Sequence, residues 1–141
     1  MAKPNVAVDS ILSLVGNTPM VRLNRMAPEN GAEIVVKLEL LNPAKTVKDR
    51  IALSMITAAE EEGKLREGIT IVRPTGGNAG YDLAMVAAAK GFRLFQTMRD
   101  TVSQERRDLL KSYGAELILT TGVLDMTGAI DRAREICEAT P

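Results

Sequence analysis

Two segments of this sequence carry residues that could do chemistry, and the first is "TVKDR", residues 46–50. Lys48 stands there at the start of a predicted helix. A cation at this position opposes the helix dipole, which favours the neutral amine that imine formation with an aldehyde requires. Taken alone, the segment favours a more ordinary interpretation, a solvated lysine on a helix surface.

The second segment is a glycine turn, "RPTGGNAGYD", between the apolar run "ITIV" and the helical pattern "LAMVAAAK". Glycines permit close approach of a ligand, and the N–H groups of the following helix favour a phosphate or a carboxylate. The turn also resembles a broken dinucleotide fingerprint, with Thr75 in place of the first glycine, then Gly77 and Gly80, and Asp100 as a ribose-binding acid. A tight turn without a ligand remains equally open.

The composition excludes several classes of function. The 141 residues suit one domain, and 18 basic against 18 acidic residues give no field for nucleic acid or an anionic membrane. No apolar run is long enough to span a membrane. Without histidine and with the single cysteine Cys137, zinc sites of the Cys/His kind and nucleophile–histidine pairs are excluded, and no metal is expected. We expect a cytoplasmic protein.

Strand and helix patterns alternate along most of the chain. Each predicted strand is followed by a helical pattern, and the strands fall at residues 33–40, 69–72, 93–98 and 115–120. Four such units predict an α/β fold, a three-layer parallel four-stranded sheet with helices on both faces. We expect residues 1–32 to form an N-terminal arm and residues 33–141 to form a small α/β domain.

The arm contains "NTPMVRLNRM", residues 17–26, which alternates like a strand but has no obvious partner within the chain. An open strand invites pairing with a second chain. The pattern therefore predicts either a homodimer built partly through this arm or a disordered arm on a monomer.

Three motifs together resemble one family. "NPAKTVKDR", "RPTGGNAG" and "TMRDTVSQERR" keep the order and spacing of motifs in the cysteine synthases (O-acetylserine sulfhydrylases) and their cystathionine β-synthase relatives. The resemblance runs along nearly the whole chain. It implies the small α/β domain of an enzyme that uses pyridoxal phosphate to replace the acetate of O-acetylserine with sulfide, giving cysteine.

The resemblance also implies roles for individual residues. Lys48 matches the lysine that attaches covalently to the cofactor, and Asn78 matches the asparagine that hydrogen-bonds the cofactor's ring oxygen. The loop that holds the α-carboxylate of the amino acid substrate corresponds to Thr75, Gly76, Gly77, Asn78 and Ala79. The anion expected at the glycine turn is then a substrate carboxylate.

The departures from the family pattern are concentrated around the second and third predicted strands. Gly76 replaces a serine and Ala79 replaces a threonine, so two hydroxyl donors to the carboxylate are lost. Arginine replaces glutamate at Arg73 and proline at Arg99, and the polar Asp82 and Gln96 stand at positions that are usually apolar.

The family enzymes are considerably longer than this chain, and their other half carries the phosphate cup. We therefore expect a chain that is not a competent cysteine synthase alone, whose partner is the missing C-terminal half or a second copy. Two alternatives remain. One is a non-catalytic domain, excised or redesigned, that acts as a scaffold or interaction unit. The other is a nucleotide-binding domain that uses the glycine turn.

Overall fold

The computed structural model describes residues 7–76 and 80–139, which form two small sheets and four α-helices. The strands are β1 (Met20–Arg22), β2 (Val35–Lys37), β3 (Thr70–Pro74), β4 (Arg93–Arg99) and β5 (Glu116–Thr120). The helices are α1 (Lys48–Glu61), α2 (Tyr81–Lys90), α3 (Gln104–Ser112) and α4 (Asp125–Ala139), with short 3-10 turns at Ile11–Leu14, Glu39–Leu41 and Gly122–Leu124. Within the described ranges, no helix is long and apolar enough to cross a membrane.

The main sheet is parallel, with the strand order β3-β4-β5. Helices α2 and α3 contact each other and the sheet, while α4 packs across all three strands. Right-handed crossovers place α2 and α3 on one face, so α4 covers the opposite face. The predicted α/β class, with a parallel sheet between helical layers, is confirmed.

The central strand β4 shows why the sheet needs both helical layers. Leu94 and Met98 are buried and belong to the same apolar core as α1 and α2. Thr97 points the other way, and its hydroxyl donates to the carbonyl of Ala129 in α4 at 2.6 Å. Alternate residues of β4 are therefore buried on opposite faces, as a strand between two layers requires.

The strand count differs from the prediction. Residues 35–37 do not join the parallel sheet, which has three strands among the described residues, and pair antiparallel with β1 instead. Met20 lies opposite Lys37 and Arg22 opposite Val35, so the prediction that the arm lacks a partner within the chain was wrong. The run of β-branched residues indicated a buried strand, but all three residues of β2 are exposed.

Two helix boundaries of the main domain can be related to single residues. Helix α2 stops at Gly91, which takes the left-handed conformation with φ 78°. Helix α3 begins after Ser103, whose side chain makes no capping hydrogen bond.

Helix α1 buries only part of its apolar surface. Ala52 and Ile56 lie in the core, together with Leu83 and neighbouring residues of α2. Val47, Ile51 and Met55 recur at helical spacing but are 40%, 51% and 54% exposed. The apolar face of α1 is therefore wider than the core that covers it, and we call these three residues the α1 stripe.

Candidate active site

Lys48 is the first residue of α1 and is exposed. Its backbone N–H donates to the hydroxyl of Thr46 at 3.2 Å. Its side-chain amine makes no hydrogen bond or ion pair with any described residue. The structure thus leaves the predicted reactive amine open to a ligand.

Asn42 anchors the loop that leads to Lys48. It is only 2% exposed, and its Oδ1 accepts from the buried backbone N–H of Gly16 at 2.8 Å. Its Nδ2 donates to the carbonyl of Thr46 at 3.0 Å and to the backbone and side chain of Glu39, both at 2.8 Å. One amide therefore ties together the N-terminal segment, the turn at Glu39 and the residue two before Lys48.

Glu39 is the charged centre of the same anchor. Arg50 binds it through both arms, Nε to Oε2 and Nη2 to Oε1, each at 2.9 Å, and the hydroxyl of Thr18 donates to Oε1 at 2.6 Å. These hydrogen bonds, led by Arg50 and then Thr18, lower the pKa of Glu39 to about 2. The bidentate geometry fixes the first turn of α1 against the turn at Glu39.

Asp49 holds the loop from the inside. It is fully buried, and its Oδ2 accepts from the backbone N–H of Ala44 at 2.6 Å. Its Oδ1 has no hydrogen-bond partner among the described residues. Burial raises the pKa of Asp49, and the charge of Asp82 at the start of α2 acts in the same direction. Helices α1 and α2 pack against each other.

The glycine turn begins at the carboxyl end of β3. Thr75 is buried, and its backbone N–H donates to the carbonyl of Thr97 at 2.9 Å. Gly76 is exposed, and its carbonyl accepts from Arg99 Nη2 at 3.3 Å. A Cβ on Gly76 would lie 2.5 Å from the sulfur of Met126, the second residue of α4. The missing side chain thus coincides with a close approach of α4.

The turn ends at Gly80, whose backbone is held from both sides. Its N–H donates to Asp82 Oδ1 at 2.9 Å, and its carbonyl accepts from Gln96 Nε2 at 2.9 Å. Asp82 is 2% exposed and Gln96 is fully buried. Gly80 has φ 141°, a conformation that residues with a side chain rarely adopt.

The predicted site residues are only partly within the described structure. Thr75 and Gly76 lie at the carboxyl end of β3, and Lys48 begins the helix packed beside α2. The predicted cofactor ligand Asn78 and the predicted carboxylate-binding Gly77 and Ala79 lie outside the described residues.

Sequence reasoning missed the contacts that shape the site. Asn42 is the first residue of the motif "NPAKTVKDR", and this position could have identified it as a residue of the site. No feature of the sequence indicated a role for Glu39 or Met126. Asp100, considered as a ribose ligand, instead accepts the backbone N–H of Gly122 at 2.9 Å. Its carboxylate oxygen thus fixes the turn after β5.

Lys48 offers an open amine at the start of α1, and the glycine turn precedes α2, which packs against α1. These features define an α/β protein suited to an aldehyde cofactor. Residues 11–141 match the family model described as "Pyridoxal-phosphate dependent enzyme". The chain belongs to this family.

Curated proteins that are similar to this chain include cysteine synthases. The chain is 55% identical over 131 residues to a cysteine synthase of Staphylococcus aureus, covering 93% of this chain and 42% of the relative. It is 49% identical over 134 residues to a probable cysteine synthase of Bacillus subtilis, covering 95% and 43%. The predicted resemblance to the N-terminal half of a cysteine synthase is confirmed.

Solved structures agree with the sequence relatives. The cysteine synthase of Entamoeba histolytica superposes with a TM-score of 0.91 at 36% identity, covering 100% of this chain and 43% of that one. An O-ureido-L-serine synthase superposes with a TM-score of 0.87 at 48% identity, covering 95% and 42%. The chain therefore spans less than half the length of the relatives that it matches.

Proposed function

We propose that this chain is the N-terminal part of a pyridoxal-phosphate-dependent cysteine synthase, and that Lys48 is the residue that attaches the cofactor. The open amine of Lys48, at the end of a loop held by Asn42, Asp49 and Glu39, carries the proposal. The substrates would be O-acetylserine and sulfide, by analogy with the cysteine synthases among the relatives.

The described residues have distinct tasks in this reaction. Asn42 and Asp49 keep the backbone before Lys48 in place, so that its amine is presented in one position. The turn that begins with Thr75 and Gly76 would receive the substrate's α-carboxylate next to the start of α2. Asn78, which lies outside the described residues, would hold the cofactor ring by analogy with the family. When bound, pyridoxal phosphate supplies the electron sink for the substrate's α-carbon.

The proposal is tested by fixing the cofactor on the chain. The chain is incubated with pyridoxal phosphate, reduced with borohydride, digested and mapped by mass spectrometry. We expect the label on Lys48, with Lys48→Ala as the negative control and Lys45→Ala as the matched control in the same loop. A label spread evenly over exposed lysines would contradict the assignment.

We further propose that catalysis needs the part of the enzyme that this chain does not match. The surfaces that support this proposal are the α1 stripe and a neighbouring cavity of about 540 Å³. Four consecutive residues of β3, 71–74, line the cavity, together with Met55 and Ile56 of α1. Successive side chains of a strand point to opposite faces. A cavity that contacts all four therefore follows the edge of β3.

This edge suits an added strand of apolar sequence. Among the described residues β3 pairs with β4 alone, and all five of its residues are only half-buried. Open strand edges beside apolar helices favour β-strand addition. A polypeptide from the unmatched part of a relative is the partner we propose, and a second copy of this chain is the alternative.

Complementation tests the need for a partner. The full chain is co-expressed with the unmatched part of the Staphylococcus aureus cysteine synthase, and cysteine formation is measured with pyridoxal phosphate. We expect background activity from the chain alone and activity from the pair. Met55→Glu should weaken co-purification, while Leu109→Glu, which changes a residue of α3 that is 44% exposed, should not.

Two outcomes would contradict the partner proposal. Strong cysteine formation by the chain alone would remove the need for a partner. A homodimer that dissociates with Met55→Glu, seen by light scattering, would show that a second copy occupies this surface. The nucleotide-binding alternative is less well supported, because an oxygen of the Asp100 carboxylate is already engaged by Gly122.

A further inference from the structure

A basic side chain, that of Arg73, stands in the mostly apolar cavity beside the edge of β3. Ile71 packs against the apolar core, and Arg73 follows it two residues later, on the same face of the strand. Arg73 is half-buried there, and Met55 and Leu83 line the same cavity from α1 and α2. The guanidinium group therefore lies on the side of β3 that these two helices occupy.

The guanidinium group of Arg73 makes no hydrogen bond or ion pair with any residue that the structure describes. By contrast, Arg50 and Arg93 each hold a carboxylate, at 2.9 and 2.6 Å. The other cation that lines the cavity is Lys64, whose side chain is 75% exposed and pairs with Glu62 at 2.6 Å. An entirely apolar segment laid over this cavity would bury an unpaired charge, which is costly.

We infer that the edge of β3 binds a strand with an acidic side chain opposite Arg73 and an apolar side chain opposite Ile71. This inference rests on the proposed function, because it names the chemistry of the strand that would cover this edge. Neighbouring strands lie about 4.8 Å apart, and residues two apart share a face. An aspartate or glutamate beside Arg73 can therefore bind its guanidinium group, while its second neighbour packs beside Ile71.

Charge disfavours a second copy of this chain as the source of that strand. Among the described strands with an open edge, β1 ends in Arg22, β2 ends in Lys37 and β3 contains Arg73, so all three are basic. Strand β5 contains Glu116, but Arg93 of the same chain already binds that carboxylate, at 2.6 and 3.1 Å. The acidic strand therefore comes from a different polypeptide.

The expected size of the charge effect follows from the half-buried position of Arg73. A hydrogen bond between two charged groups is stronger than one between neutral groups and changes affinity by about tenfold. A strand with a carboxylate opposite Arg73 should therefore bind about tenfold more tightly than a strand with a neutral amide there. A lysine at that position places like charges side by side and should bind more weakly than the amide.

The test titrates the full chain, labelled with ¹⁵N, with three blocked peptides of seven residues. Each peptide has threonine at the odd positions, valine at the second and sixth, and glutamate, glutamine or lysine in the centre. The valines and the central side chain then share one face of the strand. We expect amide signals of β3 to shift, with the glutamate peptide binding about tenfold more tightly than the glutamine peptide and the lysine peptide binding least.

Variants of the chain assign the preference to Arg73. Arg73→Glu should reverse the order, so that the lysine peptide binds best, and Arg73→Gln should remove the preference for glutamate. Arg25→Glu, in the exposed loop after β1, makes the same change of charge elsewhere and should keep the order of the parent. Because Arg73→Gln introduces no new charge, the test does not depend on the folding of the charge-reversed variant.

Four results would overturn the inference. They are equal affinity for the three peptides, no shift of β3 signals with any peptide, a preference for glutamate that survives Arg73→Gln, and β3 signals that shift with chain concentration alone, which would place a second copy at this edge. Equal affinity would remove the acidic residue but leave the added strand in place. None of these readouts involves Lys48, so a failure here is distinguishable from a failure to attach the cofactor.

Discussion

Replacement of Asn42 by alanine should loosen the loop that presents Lys48. Most of the groups that bind the Asn42 side chain have another hydrogen-bond partner that remains in the variant. The carbonyl of Glu39 still accepts from the backbone N–H of residue 42, and the Glu39 carboxylate still accepts from Arg50. The carbonyl of Thr46 keeps a weaker bond from the backbone N–H of Asp49 at 3.4 Å. The buried N–H of Gly16, which binds Asn42 Oδ1, has no second acceptor among the described residues. The main loss is therefore one buried donor.

That loss sets the expected magnitude. An unsatisfied buried backbone N–H costs about 1–3 kcal/mol, and we expect Asn42→Ala to lower the free energy of unfolding by about 2 kcal/mol. For a domain whose total stability is about 5–15 kcal/mol this is a large fraction. Urea unfolding followed by circular dichroism measures it, as a lower midpoint at unchanged slope.

The variant Asn42→Asp separates the acceptor role of the Asn42 side chain from its donor role. An aspartate keeps the acceptor for Gly16 but places a second carboxylate oxygen where Nδ2 now donates to Glu39 at 2.8 Å. It should be less stable than Asn42→Ala at neutral pH and should recover as the pH falls. Asn24→Ala, on an exposed loop, is the control. A cost below about 0.5 kcal/mol for Asn42→Ala, the range of ordinary surface changes, would refute the argument.

Three further predictions concern neighbouring groups. Because the pKa of Glu39 is lowered to about 2, the ionised carboxylate stabilises the fold above its ordinary pKa of 4.5, and this stabilisation is lost as the pH falls toward 2. The difference in unfolding free energy between the parent and Glu39→Gln, measured by urea titration, should therefore shrink over that pH range. Burial raises the pKa of Asp49, so the stabilisation from its protonated form is fully present below its ordinary pKa of 3.8 and is lost as the pH rises through the raised value. On acidification the parent should therefore gain stability relative to Asp49→Asn. The opposite trend would contradict this. Gly76→Ser should cost about 1 kcal/mol through crowding against Met126, measured by thermal unfolding. If Met126→Ala fails to relieve that cost, the contact is not its cause.

Local patterns predicted most of the fold because local rules decide those elements. Gly91 ends α2 in the left-handed conformation, and strands β4 and β5 lie within one residue of their predicted ranges. The segment at 33–40 failed for a physical reason. Periodicity detects β-branched residues but does not say which strand will pair with them. The partner of β2 was the arm, and these two strands pair over only three residues each.

The site was predicted through whole motifs more than through single residues. Lys48 alone indicated a surface lysine, and it became a candidate because three motifs kept their order. The anchor around Glu39 could not be predicted, because Thr18, Glu39 and Arg50 meet only after the chain folds. The sequence contains Asp82 and Gln96 as two polar residues without an assigned role, but the structure was needed to show that both bind the backbone of Gly80.

The α1 stripe shows what a sequence pattern can and cannot establish about association. Val47, Ile51 and Met55 predict an apolar face, and the structure leaves that face exposed while Ala52 and Ile56 fill the core. A helix that is apolar on more than one side is typical of the interior of a larger protein. Met55 of this face lines the same cavity as the edge of β3, which pairs with no second strand among the described residues, so the same partner can cover both. The part of the relatives that this chain does not match, more than half of their length, is long enough to supply such a partner.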